Sequence, residues 1–227
     1  MTEAFDSLAR VWTRGAAIRP VPSYAVVGEA ALRSVEAALA EEATRGASSM
    51  DTAFERFEET QPELAARIQE VLERPLDETA LALGYFLSIA VWLAFETVFT
   101  GRLTEVTGDA WHATVDALAL EEDLRNRGAD EPLDLDGVLA LEQPGVVAFV
   151  HEHIEAALST GHSFSDDANL GPDDAGDGEE RSTGASELAA EDVRLVYRTI
   201  LLETLALSHA VTPGENPPDD AAPELRA

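Results

Sequence analysis

The amino-acid sequence predicts an all-α protein, a helical bundle of about six to eight helices. Apolar side chains recur at three- and four-residue spacing through most of the chain, which is the period of an amphipathic helix. No stretch alternates apolar and polar residues over the length that a half-buried strand needs. Proline, glycine and small polar residues interrupt the periodic stretches where helices commonly begin and end. These three observations together predict one all-α domain over residues 1–227.

The most apolar stretch, Thr79 to Phe95, contains no charged residue and predicts the central helix of the bundle. Its apolar residues fall on every side of a helical wheel, as in buried core helices and in membrane spans. The uncharged run of about 17 residues is at the lower limit for crossing a bilayer. The loops beside it lack the one-sided excess of basic residues that orients membrane helices. We therefore interpret the stretch as a core helix that Asp77 caps, with a membrane span as the alternative.

The remaining helices follow from the same periodicity and from start and stop signals. They are predicted at about 1–20, 23–45, 50–58, 60–74, 109–127, 143–158 and 187–211. Ser23 is the predicted N-cap of the second of these, and Thr60 with Glu63 forms a predicted capping box. Residues 129–136 are interpreted as a loop. Segments 160–186 and 213–227 are rich in Asp, Gly, Ser or Pro and poor in large apolar residues, so they are predicted to be disordered.

Composition restricts the classes of partner and of chemistry. The formal net charge is −29, and all 15 basic residues are arginine. Such a surface repels nucleic-acid phosphates and anionic lipids, which argues against nucleic-acid and membrane partners. Two explanations of the acidity compete, adaptation to a high-salt cytoplasm and a GC-rich genome. The chain has no cysteine, which excludes disulfides and thiolate chemistry. The N-terminus lacks a secretory signal pattern, so we expect a cytoplasmic protein.

Two segments of the chain resemble each other. EETQPELAARIQEVL at 58–72 matches ALEQPGVVAFVHEHI at 140–154, and the match aligns Gln61 with Gln143. Each segment precedes a strongly apolar helix. The alternative explanation is that amphipathic helices with proline in the first turn resemble one another by chance.

The match predicts an internal repeat, over 50–100 and 132–211, around two central apolar helices. The two apolar helices share a Glu-Thr step, at Glu96 and at Glu203. A buried glutamate needs a basic partner, for which Arg198 and Arg102 are available, or else a raised pKa. Glu96, Glu203, Arg198 and His153 are therefore the candidates for a buried polar site between the central helices. The alternative is a structural ion pair or an exposed glutamate near the end of a helix.

The histidines of the second segment are the candidate metal ligands. His151 and Glu155 lie four residues apart and share a helix face, so they could chelate one ion. Two ligands fall short of the three or four that zinc usually has. His153 aligns with Val71, a predicted core position, and is interpreted as a hydrogen-bonded imidazole at the buried polar site.

No pattern typical of a serine hydrolase, a P-loop, a dinucleotide-binding fold or a bundle di-metal site occurs in the sequence. The favoured hypothesis is therefore a non-enzymatic module that acts by protein–protein interaction, with a protein partner or as a homodimer and without a cofactor. The alternative is a helical protein that binds a metal or a small molecule between its central helices.

Overall fold

The computed structural model describes residues 18–44, 49–126, 135–165 and 178–214, and in this part of the chain most residues are helical and no strand occurs. Its eight α-helices are α1 Glu29–Thr44, α2 Ser49–Thr60, α3 Pro62–Leu72, α4 Glu78–Val98, α5 Gly108–Asn126, α6 Leu135–Glu142, α7 Pro144–Ser165 and α8 Gly178–Ala210. A 3-10 turn at Ser23–Ala25 precedes them. The predicted all-α bundle is confirmed. Most of the helix predicted at 1–20 and the tail from 215 lie outside the described residues.

Helix α4 is the predicted central helix. Its N-cap is Asp77, whose Oδ1 accepts hydrogen bonds from the backbone N–H groups of Thr79 (2.7 Å) and Ala80 (3.1 Å). The helix packs against α1, α2, α3, α7 and α8. Among the described helices it alone is long and apolar enough to cross a membrane, and 56% of its most apolar window is buried within the bundle. A core helix that is apolar all round has the same composition.

Helix α8 packs along α4, and the two run in the same direction. At one end the backbone N–H of Asp77 donates to Oδ2 of Asp192 (2.9 Å). At the other end Leu103 and Val211 form an isolated backbone bridge. Between them, a Cβ on the buried Gly84 would lie 2.7 Å from Leu72 of α3 and 3.2 Å from Val196 of α8. The absence of a side chain at position 84 therefore lets α8 approach α4 closely.

Two of the predicted helix starts are wrong. Ser23 opens a 3-10 turn, and α1 begins only at Glu29. Thr60 does not cap α3, because α2 continues through it and its hydroxyl donates to the carbonyl of Arg56 (2.9 Å). Both deviations occur beside extended segments or helix junctions that bind distant parts of the chain.

One helix, α6, is absent from the sequence prediction, and two others, α7 and α8, are longer than predicted. Helix α6 begins at Leu135, inside the stretch interpreted as a loop, and extends to Glu142. Helices α7 and α8 cover 160–165 and 178–186, the two ends of the segment predicted to be disordered, and the centre of that segment lies outside the described residues. Packed helices on both sides propagate into these ends at little cost, because each added residue gains one backbone hydrogen bond.

Gln143 is a fully buried side chain that fastens the start of α1 to the junction of α6 and α7. Its Oε1 accepts from the N–H of Val27 (2.9 Å), and its Nε2 donates to the carbonyl of Ala25 (2.7 Å). The same Nε2 lies 2.9 Å from the hydroxyl oxygen of Ser208 on α8. The amide thus acts like a neighbouring strand for an extended segment, which keeps that segment's backbone polar groups satisfied.

Gln61 does the same at the junction of α2 and α3. Its Oε1 accepts from the N–H of Val106 (2.8 Å), and its Nε2 donates to the carbonyl of Thr104 (3.1 Å). Each glutamine therefore binds residues n and n+2 of an extended segment that leads into a helix, α1 for Gln143 and α5 for Gln61. The two arrangements are reciprocal, because each half of the described chain supplies the glutamine for the other.

Helix contacts recur in the same way in the two halves, with α1 to α4 corresponding to α5 to α8. The corresponding pairs are α1–α4 and α5–α8, α1–α7 and α3–α5, α2–α3 and α6–α7, α2–α4 and α6–α8, α3–α4 and α7–α8, and α3–α8 and α4–α7. The ends of the halves also match: Thr104 N–H donates to Ala210 (3.0 Å), and Thr212 N–H donates to Arg102 (2.8 Å).

Gly145 marks the closest backbone approach between α7 and the start of α1. A Cβ there would lie 2.7 Å from the backbone nitrogen of Glu29 and 2.9 Å from the carbonyl oxygen of Val27. Gly145→Ala is expected to lower the free energy of unfolding by about 2 kcal/mol, because backbone atoms cannot move aside as a side chain can. Denaturant unfolding measures the change. Gly28→Ala, where a Cβ meets nothing within 4 Å, is the control and should change stability by less than about 0.5 kcal/mol. A fully stable Gly145→Ala variant would contradict the packing.

Candidate functional site

Glu203 is a fully buried carboxyl group in α8, in the interface with α4. Neither of its oxygens has a hydrogen-bond partner, and its residue is 0% exposed. Burial raises the pKa of Glu203 well above its ordinary value, and the adjacent Ser88 hydroxyl opposes that shift only in part. The Ser88 hydroxyl is nevertheless without a hydrogen bond of acceptable geometry, to Glu203 or to another described group. The carboxyl is therefore neutral over a range of pH in which an exposed glutamate is charged.

Helix α4 contributes two further polar atoms without partners, Oγ of Ser88 and Nε1 of Trp92. Both residues are buried, and they lie one turn apart on α4. A buried polar group without a hydrogen bond costs on the order of 1–3 kcal/mol. Such groups are few in folded proteins, so each calls for a physical cause such as a bound water, a proton or a small ligand.

Glu96 lies in different surroundings from Glu203, so the structure does not bring the two predicted residues together. It is half-buried, and its carboxylate pairs with Arg56, whose guanidinium carbon lies 5.2 Å from the centre of the Trp92 ring. Counted back from the bridge between Leu103 and Val211, the residue of α4 that corresponds to Glu203 is Phe95. The predicted alignment of the two glutamates is therefore displaced by one residue.

The histidine candidates are separated as well. His153 is half-buried, donates from Nδ1 to the carbonyl of Phe149 (2.9 Å) and lies 3.1 Å through Nε2 from Glu36 on α1. His151 is exposed and lies 2.7 Å from the Tyr197 hydroxyl. Its sequence partner Glu155 is also exposed. Over the described ranges, no group of three or more potential metal ligands comes together.

Arg198 is exposed on α8 and is not the partner of Glu203, which is enclosed. Arg102 is also placed elsewhere, with its guanidinium carbon 5.2 Å from the ring centre of Phe99. The basic residues that the sequence offered to the buried glutamate therefore lie outside its surroundings.

A groove between α5 and α8 is a feature that sequence reasoning missed. It has a volume of about 330 Å³, and the small residues Ala110, Ala113 and Ala117 of α5 form one wall. Leu205 and Ala206 of α8 contribute to the other. The alanines recur at three- and four-residue spacing, and this was the available signal. It was hidden because alanine is frequent throughout the chain.

The corresponding place in the first half is a smaller groove of about 260 Å³ between α1 and α4. There α2 supplies a third wall through Thr52, Ala53 and Arg56. Helix α2 packs on both α1 and α4, whereas α6 packs on α8 without a comparable contact to α5 in the part of the chain that is described. Among the described residues, no helix of the second half covers this side of its groove as α2 covers it in the first half.

Comparisons with protein-family models, with curated proteins and with solved structures find no match to this chain. Two places in the described part of the fold combine features that could serve a function. Between α4 and α8, a desolvated carboxyl can hold and release a proton. Between α5 and α8, a groove with small side chains can accept an apolar helix.

Proposed function

We propose that the chain is a non-enzymatic interaction module whose groove between α5 and α8 binds an amphipathic helix of another protein. The observation that supports this function is the side of the groove that no described helix covers, where the first half of the chain has α2. Helices that bind in grooves present apolar residues at three- and four-residue spacing, and a third helix here would extend the packing of the bundle.

The floor and wall of the groove suit a closely packed helix. Small side chains at Ala110, Ala113 and Ala117 allow the backbone of a bound helix to come near α5. Leu120, seven residues after Ala113 and so on the same side of α5, is 53% exposed and would be covered by a longer partner helix. Covering apolar surface of this kind contributes roughly 25 cal/mol per Å².

The charge around the groove selects the partner's polar residues. Glu105 lines the groove together with Arg19 and His209, and Asp109 and Asp116 add negative charge on the exposed side of α5. A partner helix with Arg or Lys beside its apolar face is attracted by these carboxylates and by a net charge of −29. A second copy of the chain has the same charge and is repelled, so we commit to a different, basic protein rather than a homodimer.

A synthetic helical peptide with a Leu/Ala face flanked by arginines tests this proposal. It should bind the full chain, and Ala113→Arg should weaken binding by about tenfold or more, because the long side chain fills the groove and repels the peptide. Fluorescence anisotropy at fixed salt measures the affinity. Ala38→Arg adds the same charge at an exposed position of the α1–α4 groove, so it should leave the affinity unchanged.

Equal weakening by the two variants, or equal binding of a peptide with glutamate in place of arginine, would contradict the proposed groove. A dimer of the chain that Ala113→Arg dissociates would assign the groove to a second copy and would overturn the choice of partner.

The second candidate function is binding of a small ligand or a metal between α4 and α8. The unpartnered atoms of Glu203, Ser88 and Trp92 favour it. A bound cation would hold Glu203 ionised, whereas burial alone keeps it protonated. The two cases have opposite pH dependence of stability, so the effect of Glu203→Gln on unfolding at different pH values separates them.

We also infer that the chain contains an internal duplication. The reciprocal bonds of Gln61 and Gln143 and the recurring helix contacts support two units, 25–103 and 104–212. These are longer than the units predicted from sequence, 50–100 and 132–211. A location in the cytoplasm stays a prediction.

A further inference from the structure

A pocket lies at the C-terminal end of α4, between this helix, the junction of α2 and α3, and the extended segment that Gln61 binds. Its volume is about 450 Å³, within the range of roughly 300–1,000 Å³ that is typical of small-molecule sites. Gly101 turns the chain at the end of α4 with a φ of 73°, which brings the extended segment back past Gln61. We call this place the α4-end pocket, and its lining includes Gln61, Trp92, Glu96, Thr100 and Glu105.

Trp92 gives the α4-end pocket a hydrogen-bond donor that the described protein groups leave unused. The side chain lines the pocket and is fully buried, and its indole Nε1 has no hydrogen-bond partner. Its ring faces α2, because the ring centroids of Trp92 and Phe57 are 5.1 Å apart. An indole N–H donates and does not accept, so a molecule that satisfies it must carry an acceptor such as an oxygen.

Carboxylates determine the charge that the α4-end pocket attracts. Glu96 and Glu105 both line it, and none of its described lining residues is basic. Two basic groups close to the lining residues are already engaged, Arg56 with Oε2 of Glu96 and Arg102 with the ring of Phe99. The C-terminal end of α4 adds the negative end of a helix dipole. A positively charged group is therefore favoured beside these carboxylates.

The corresponding place in the second half of the chain is filled by the protein itself. Counted back from the bridge that joins the ends of the halves, Ser208 corresponds to Thr100. The Ser208 hydroxyl lies 2.9 Å from Nε2 of Gln143, and both residues are 0% exposed. Thr100 is exposed, donates to carbonyls of α4 itself and lines the pocket together with Gln61. The first half thus has a lined pocket where the second half has packed core.

We propose that the α4-end pocket binds a small organic amine that also carries an oxygen acceptor. The ammonium group lies beside Glu96 and Glu105, and the oxygen accepts a hydrogen bond from Nε1 of Trp92. The apolar part of the molecule contacts Phe99 and Leu103, which also line the pocket. This site is separate from the proposed function, because it uses neither the groove between α5 and α8 nor Glu203.

Tyramine tests this class of ligand, because an apolar body joins its ammonium group to a phenol oxygen. Phenethylamine lacks the oxygen, and hydroxyphenylpropionate has a carboxylate in place of the ammonium group. Each of these two compounds should bind the full chain about tenfold more weakly than tyramine, because each loses one of the proposed polar contacts. Isothermal titration calorimetry at neutral pH and fixed salt measures the three affinities. Equal affinities, or no binding of tyramine, would overturn the proposal.

The indole N–H signals of the three tryptophans in an NMR spectrum locate the bound amine. Tyramine should shift the signal of Trp92, which is assigned by its loss in Trp92→Phe, and leave the signal of Trp111 in place. Glu105→Gln should weaken tyramine binding by about fivefold or more, because a charge-assisted hydrogen bond is lost. Glu155→Gln removes the same charge from an exposed position of α7 and should leave the affinity unchanged. An unmoved Trp92 signal, or equal weakening by the two variants, would contradict binding in this pocket.

Discussion

Replacing Gln143 with leucine is expected to lower the free energy of unfolding by about 3 kcal/mol. The substitution leaves the N–H of Val27 and the carbonyl of Ala25 without their partner in a buried place, and each unsatisfied group costs about 1–3 kcal/mol. The apolar leucine compensates only in part, because the extended backbone beside it stays polar. Denaturant unfolding at one fixed salt concentration measures the loss.

Hydrogen exchange gives the same substitution a local readout. Protection of the Val27 amide should fall in Gln143→Leu. The amide of Val106, which Gln61 binds, should lose only the protection that follows from the lower global free energy of unfolding. Gln61→Leu should do the reverse with a smaller total loss, because one of its two bonds is only partly buried. Gln69→Leu, at an exposed position of α3, is the control. A loss that does not exceed that of the control would contradict the role of Gln143.

Local signals made the central helix predictable. Asp77 caps α4 within three residues, and the uncharged run is apolar on every side, as a central core helix is. Residues that start or stop a helix lie next to that helix in the sequence, so a helix such as α4 can be predicted from a short stretch of the chain.

Long-range partners explain what could not be predicted. Ser23 and Thr60 have the residue types of helix caps, yet the adjoining backbone is shaped by glutamines. Gln143 binds a segment 116 residues away, and Gln61 binds one 45 residues away. A sequence pattern aligned the two glutamines but contained nothing about the atoms that they bind. The repeat therefore indicated equivalent positions without indicating their role.

The candidate site shows the same limit in a different form. The Glu-Thr step suggested that Glu96 and Glu203 are equivalent, but one residue of displacement changes the face of a helix by about 100°. Glu96 thus reaches Arg56 near the surface, whereas Glu203 faces the core. Burial of Glu203 could be proposed from its apolar neighbours, but the absence of a basic partner depends on the packing of α4 against α8.

Glu203→Gln is expected to make the protein progressively more stable than the wild type as pH rises above the ordinary glutamate pKa of 4.5. The folded wild type binds the Glu203 proton more tightly than the unfolded chain, because burial raises the pKa of this group. The stabilisation that this bound proton gives the folded protein is complete below pH 4.5. It is lost as pH rises toward the folded-state pKa of Glu203. The difference between the two proteins should therefore grow by up to about 1.4 kcal/mol per pH unit.

The measurement is the difference in unfolding free energy between variant and wild type, from pH 4 to pH 9 at fixed salt. The other carboxylates titrate in both proteins, so their effect on stability cancels in this difference. Glu155→Gln, at an exposed position of α7, should give a difference that changes little with pH. If the difference in unfolding free energy for Glu203→Gln did not change with pH, Glu203 would have the same pKa in the folded and unfolded protein, which would contradict the prediction. A difference of opposite sign, with the wild type gaining stability as pH rises, would mean that Glu203 is ionised and paired with a cation, as the second candidate function requires.

Because Glu203 lies between α4 and α8, the pH dependence of its variant shows how the charge of this group affects the packing of the two helices. In the first half of the chain the corresponding residue is Phe95, whose ring is fully buried and packs 5.7 Å from that of Phe99. A carboxyl in place of such a ring weakens the packing of α8 unless a proton or a cation neutralises it. The first half closes its core with aromatic rings, and the second half closes it with a group that can be charged. Glu203→Gln therefore reports directly on whether proton binding stabilises the contact between α8 and α4.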